Sequence, residues 1–148
     1  MAQDTGTLRC ISRKDQTDAV ITGDQVLLHL IGDYCTQSDW MANNKTLRWF
    51  PAFCHALVYS LPFWMLGPSL RAWLVIFGTH YLIDRYRLAR YVVWAKNFLA
   101  PPGSNTPWAD CQKFGYPSER PVWLAMWLMV IADNIMHFTI NGVALKFL

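Results

Sequence analysis

The chain has 148 residues and a formal net charge of +3, with 53% hydrophobic and only 16% charged residues. That length suits one domain with one sizeable core, and eight tryptophans, six tyrosines and eight phenylalanines exclude a disordered chain. Basic residues form no dense block and Glu119 is the single glutamate, so a strongly basic nucleic-acid binder and an acidic tail are both excluded, and nucleic acid is not an expected partner.

Residues 1–23 are polar, carry Gly6 and Gly23, and lack the apolar stretch of a secretory signal. They are expected to form a flexible extension, with a helical domain over residues 24–148. A first periodic segment runs from Asp24, the expected N-cap, to about Asn43. Its apolar residues (Val26, Leu27, Leu30, Ile31, Tyr34) recur at helical spacing. The second, Trp49–Leu66, is 18 residues long and carries no formal charge. Pro51 suits its first turn, and Pro62 is expected to end or kink it. Gly67-Pro68 breaks the chain before a third segment, Ser69 to about Leu99, apolar in its first half and carrying Arg85, Arg87, Arg90 and Lys96 in its second. Residues 100–121, with five prolines and two glycines, read as a long loop of the kind that gates or recognises. A last apolar segment spans Val122 to Leu145. The fold expected is all-α: a compact bundle of about four helices, with the Pro/Gly-rich loop between the third and fourth.

The second and fourth segments meet the length of about 20 residues that a bilayer span requires. The third does so only if its arginines snorkel. Tryptophans 40, 49, 64, 73 and 123 fall near segment ends, as interfacial belts would place them. The expectation is a membrane-embedded bundle; a soluble helical domain with a rich core is the alternative. Lys45, Arg48, Arg85, Arg87, Arg90 and Lys96 would share a cytoplasmic side, whereas Arg9, Arg13 and Lys14 argue the other way, so the topology stays open. No Cys-x-x-Cys pair occurs. Cys35 and Cys54 read as small apolar fillers, and Cys10 and Cys111 can pair only in an oxidising compartment.

Chemistry concentrates in the four histidines, all within apolar segments. Three have an aspartate four residues away: His29 with Asp33, His80 with Asp84, and His137 with Asp133. On a helix, i and i+4 share a face. With nine aspartates in the chain, three such hits among four histidines would arise by accident roughly 1% of the time. A single pair reads as a mutual hydrogen bond. Three pairs and His55 exceed what mutual bonding needs, and a buried carboxylate is costly unless paired or metal-bound. The expected metal ligands are His29, Asp33, His55, His80, Asp84, Asp133 and His137. Nitrogen and oxygen donors without thiolate suit zinc, manganese or iron, and so many donors suit a pair of ions. A redox di-iron site would show Glu-x-x-His spacing, which is absent, so a divalent ion of the zinc type in a hydrolytic centre is expected. Asp33, Asp84 and Asp133 are the candidate catalytic carboxylates. Arg87, on the helical face of His80 and Asp84, is a candidate phosphate clamp or else a positive-inside anchor. Gln37, Asn134 and Asn141 are candidates to orient ligands. Ser38 and Ser60 have no nucleophile arrangement.

The run from His29 to Lys45, with Ala52–Ala56, Gly78–Arg87 and Ala132–His137, resembles the motifs of a small family of bacterial and phage integral-membrane proteins of unknown function, over roughly residues 25–147. More distantly it resembles inner-membrane proteins labelled metal-dependent hydrolases, and beyond them the helical zinc phospholipases C and P1-type nucleases. Those share the His-x-x-x-Asp pairs seen at His29/Asp33 and His80/Asp84. The glutamate and N-terminal tryptophan ligands of the soluble enzymes are missing, and the last pair is reversed. The resemblance implies a hydrolase fold and not an activity; the first expectation is an integral protein of the bacterial inner membrane that hydrolyses a phosphoester, a lipid-linked one included, with the bilayer as partner and an oligomer compatible with its small size. Two other expectations stay open: a bacterial or phage membrane protein with a structural metal core that blocks a host partner, and a transporter relaying protons or ions.

Overall fold

The computed structural model describes residues 19–101 and 103–148, which fold into seven α-helices with no strand among them. Most of the expected 1–23 extension, including Arg9, Arg13, Lys14 and Cys10, lies outside the described residues. Helix α1, Gly23–Leu30, is capped by Thr22 and not by Asp24: the Thr22 hydroxyl accepts the Gln25 N–H while the Gln25 side chain accepts the Thr22 N–H. It runs into one wide π-turn, Ile31–Cys35. Helix α2, Asp39–Asn44, starts afresh because the Ser38 hydroxyl caps the Met41 N–H. Helix α3, Trp49–Ser60, tightens into a 3₁₀ stretch over Leu61–Leu66, where Pro62 lacks the N–H an α-turn would use. Gly67 ends it at φ 64°, a left-handed conformation open to glycine.

Helix α4, Leu70–Tyr86, is followed by α5, Ala89–Lys96. The expected single third segment breaks because Arg87 takes φ 52°, and the Leu88 N–H closes on the Ile83 carbonyl at 2.9 Å. Helix α6, Trp108–Cys111, is a single turn within the loop, and α7, Val122–Phe147, is the longest. The expected four helices are thus seven, because local caps at Ser38 and Arg87 divide the first and third segments and the loop holds a turn of its own.

Helix α4 packs against α3 and α7, and α7 also receives α1 and α5. The core beneath the site comprises Leu28, Tyr59, Phe63, Ala72, Ile76 and Ala144, backed by Val75 and Leu145. Burying a side chain such as Phe63 is worth about 1.5–3 kcal/mol. Small buried residues (Ala52, Ala56, Ala72, Ala125, Ala144) let the helix axes approach closely. The loop is tied down and not free to swing. Trp94 Nε1 donates to the Thr106 carbonyl at 3.1 Å, Asn97 Nδ2 donates to the Gly115 carbonyl at 3.1 Å, and Trp108 stacks on Tyr91.

Trp49–Leu66 and Val122–Phe147 are long and apolar enough to cross a membrane, with mean hydropathy 1.2 and 1.4.

Candidate metal centre

Four helical segments each bring one or two polar side chains to the same buried point. The π-turn after α1 carries Asp33, α3 carries His55, α4 carries His80 and Asp84, and α7 carries Asp133 and His137. All three i,i+4 pairs close: His29 Nε2 to Asp33 Oδ2 at 3.2 Å, His80 Nε2 to Asp84 Oδ2 at 3.4 Å, and His137 Nε2 to Asp133 Oδ2 at 3.6 Å. The pairs then converge on one another. His55 Nε2 lies 3.3 Å from Asp33 Oδ1, 3.1 Å from Asp84 Oδ2 and 3.0 Å from His80 Nε2, and His80 Nε2 lies 3.4 Å from Asp33 Oδ1. His137 Nε2 approaches the other Asp84 oxygen, Oδ1, at 3.4 Å.

These approaches are mostly not good hydrogen bonds. Asp33 Oδ1 and His137 Nε2 are buried and have no hydrogen-bond partner, although each has facing groups within 3.4 Å. Nδ1 of His55, His80 and His137 is likewise without a partner. Leaving such a group unsatisfied costs about 1–3 kcal/mol. Converging lone pairs with Asp33 Oδ1 and His137 Nε2 left unsatisfied are what a cation-binding site presents, although the Lys45 ammonium meets two of the converging atoms, Asp84 Oδ2 and His55 Nε2. Among the described residues, two buried His/Asp groups can hold a metal ion: Asp33, His55, His80 and Asp84 in one, and Asp84, Asp133 and His137 in the other, each with its ligand atoms within 4.8 Å of one another.

His29 stands differently from the expected ligand role. Its Nδ1 meets the Tyr59 hydroxyl at 2.8 Å and its Nε2 meets Asn134 Oδ1 at 2.6 Å, so both ring nitrogens are engaged and it belongs to neither group. Burial holds its imidazole below the ordinary histidine value against the opposing pull of the Asp33 carboxylate and the Asn134 hydrogen bond. It positions Asp33 as a neutral ring. Asn134 and Asn141, candidates to orient ligands or cap buried carbonyls, meet groups outside the two ligand sets: Asn134 holds His29 and donates to the Val130 carbonyl, and Asn141 Nδ2 donates to the Tyr59 hydroxyl at 2.6 Å. Tyr59 was not among the expected residues. Its buried ring stacks on His80 with centroids 3.5 Å apart. Its spacing from His55, four residues, was the available signal.

A cavity of about 220 Å³ opens onto the cluster, and its lining includes Asp33, Asp84, Asp133, Gln37, Lys45 and Arg87. Among the described residues, none of the 100–121 loop lines it. Arg87 is on the wall but past the end of α4, and its Nη2 donates to the Lys113 carbonyl at 2.8 Å. Gln37 reaches the cavity with Oε1 unpartnered. Ser38 and Ser60 serve only backbone groups, the Met41 N–H and the Leu57 carbonyl.

The fold and the cluster define a helical protein with a buried His/Asp centre open on one side. The chain belongs to the family described as proteins of unknown function (DUF3307), whose model matches residues 21–115. No curated protein and no solved structure matches the chain.

Proposed function

We propose that the protein is a membrane-embedded, metal-dependent hydrolase of phosphoesters, with a zinc-type pair of ions bridged by Asp84. The observation that carries the reading is the spacing of the four-residue group. Five separations among Asp33 Oδ1, His55 Nε2, His80 Nε2 and Asp84 Oδ2 run from 3.0 to 3.4 Å. A regular tetrahedron with edges near 3.3 Å has its centre about 2.0 Å from each vertex, the bond length zinc makes to nitrogen and oxygen donors. Asp84 turns Oδ2 toward this group and Oδ1 toward His137, as a bridging carboxylate would.

The second group offers only three residues, and its Asp133 borders the cavity. Three protein ligands with an open position are the pattern of catalytic zinc, whereas four filled positions are structural. When bound, the ion on the open side supplies a water acidified to a pKa near 7, and a pair of ions clamps both oxygens of a displacement. Asp133 would be the ligand at the open edge of that group, bordering the cavity. Lys45 and Arg87 line the approach and suit an anionic substrate. The open face favours this reading over a purely structural core.

Membrane embedding is supported by what the two long helices show outward. Only 22% of the span in Val122–Phe147 and 39% of that in Trp49–Leu66 is buried, whereas a core helix of a soluble protein is mostly buried. Trp123, Trp127, Ile131 and Ile135 form an exposed apolar stripe on α7. The bacterial inner membrane is the location this reading implies.

The test is elemental analysis and turnover of bis(p-nitrophenyl) phosphate by the detergent-purified protein. Wild type is expected to carry transition metal and to hydrolyse the ester. Asp84→Asn is expected to lose most of both, and Asp133→Asn to retain the four-ligand ion but lose at least about a hundredfold in rate. A folded, metal-free wild type that takes up no added Zn²⁺ would overturn the proposal.

A further inference from the structure

Among the described residues, Lys45 brings an ammonium into the cluster. Its Nζ donates to Asp84 Oδ2 at 2.6 Å and lies 3.1 Å from His55 Nε2. Both atoms are corners of the four-residue group. A ring nitrogen that accepts has one lone pair. His55 Nε2 therefore accepts from an ammonium or coordinates a metal, never both. The same exclusion holds for space at Asp84 Oδ2, which an ammonium at 2.6 Å already covers.

The lysine is built to leave. It caps the end of α2, a helix of six residues that buries none of them. Its side chain is 20% exposed and borders the cavity. The turn beneath it is fixed independently, since the Arg85 guanidinium donates to the Thr46 and Leu47 carbonyls. Four rotatable side-chain bonds can carry the ammonium outward without moving the backbone. Outward is the cavity wall that Arg87 shares.

Resting on the metal-centre reading above, we propose that Lys45 is an internal stand-in for the metal, displaced when the ion enters and then redeployed in the cavity to bind a phosphoryl oxygen of the substrate. Metal-free, it neutralises part of the buried carboxylate charge and keeps the ligands gathered. Loaded, it and Arg87 present a paired cationic wall to the anion. Anion binding thereby depends on prior metal entry.

Zn²⁺ titration of wild type and Lys45→Met in detergent tests this. The apparent dissociation constant of a site is the intrinsic one divided by the fraction of molecules in which it is open. Removing the competing ammonium is expected to tighten Zn²⁺ binding at least about tenfold. Binding of inorganic phosphate to the loaded variant is expected to weaken by a similar factor. Arg87→Met removes a positive charge from the same wall without touching a ligand atom, and is expected to shift Zn²⁺ affinity far less. Should Lys45→Met fold poorly, acetic anhydride labelling of wild type followed by peptide mass spectrometry gives an independent readout: Lys45 should acetylate faster with Zn²⁺ than without. Equal Zn²⁺ affinity in wild type and Lys45→Met, or a labelling rate that Zn²⁺ leaves unchanged or lowers, overturns the stand-in role while the metal centre survives. Failure of both proteins to bind Zn²⁺ overturns the centre itself.

Discussion

His29 shows how a residue at correct spacing acquires a different task from its neighbours. Like His80 it has an aspartate four positions on, yet its ring is clasped on both nitrogens by Tyr59 and Asn134. The sign of its pH effect follows. Its native-state value lies below the unfolded one, so between the two the unfolded chain binds more protons. The stability it contributes is present above about pH 6.5 and lost as pH falls. The thermal midpoint of wild type minus that of His29→Gln, measured across pH 8 to 5, is accordingly expected to shrink on the acid side; a constant difference would show that the ring is not held neutral. Six of the seven His and Asp residues are legible in the sequence because helical periodicity alone brings i and i+4 together; His55 stands out only as the fourth histidine in an apolar segment. Lys45 escaped it: its approach to Asp84 spans 39 positions and depends on how two helices dock, which no local pattern encodes. Read from charge alone it looked like a membrane-side anchor.

The π-turn at Ile31–Cys35 is the element that aims Asp33. Gly32 inside it presses on α3: a Cβ there would stand 2.6 Å from Tyr59 Cδ2 and 3.0 Å from the Tyr59 carbonyl oxygen. One of those atoms is backbone, so side-chain adjustment cannot relieve the clash. Gly32→Ala is expected to cost about 1–3 kcal/mol, seen as a lower thermal midpoint, and to reduce metal retention because Asp33 moves with the turn. Unchanged melting and metal content would mean that this close approach does not set the site. Segment order and the breaks at Pro62 and Gly67 were readable from the chain. The division of the first and third segments was not, because it rests on a serine hydroxyl turned to a backbone N–H and on an arginine adopting φ 52°, choices made by packing and not by propensity.

At the scale of the molecule, a polar cluster lies inside an otherwise apolar core while large apolar side chains face outward. The buried set includes His29, His55, His80, Asp84, His137 and Asn141, while Leu61, Trp64, Met65, Trp123 and Trp127 face outward. On the membrane reading proposed above, hydrocarbon around the helices would strengthen interactions in the centre by excluding water. The protein in isolated bacterial membranes is expected to resist extraction by alkaline carbonate and to yield only to detergent; release into the carbonate supernatant would show that the outward apolar surface does not meet lipid.

The ligand set is also divided along the chain. Asp33, His55, His80 and Asp84 all precede α5, whereas Asp133 and His137 arrive with α7. A polypeptide emerging from the ribosome therefore presents all residues of one His/Asp group well before the other is complete. On the metal reading, the first ion can be captured by a nascent chain, with one oxygen of Asp84 left waiting for a helix not yet made. Maturation of the centre is then vectorial, and an arrest before α7 inserts would leave a half-loaded, inactive intermediate.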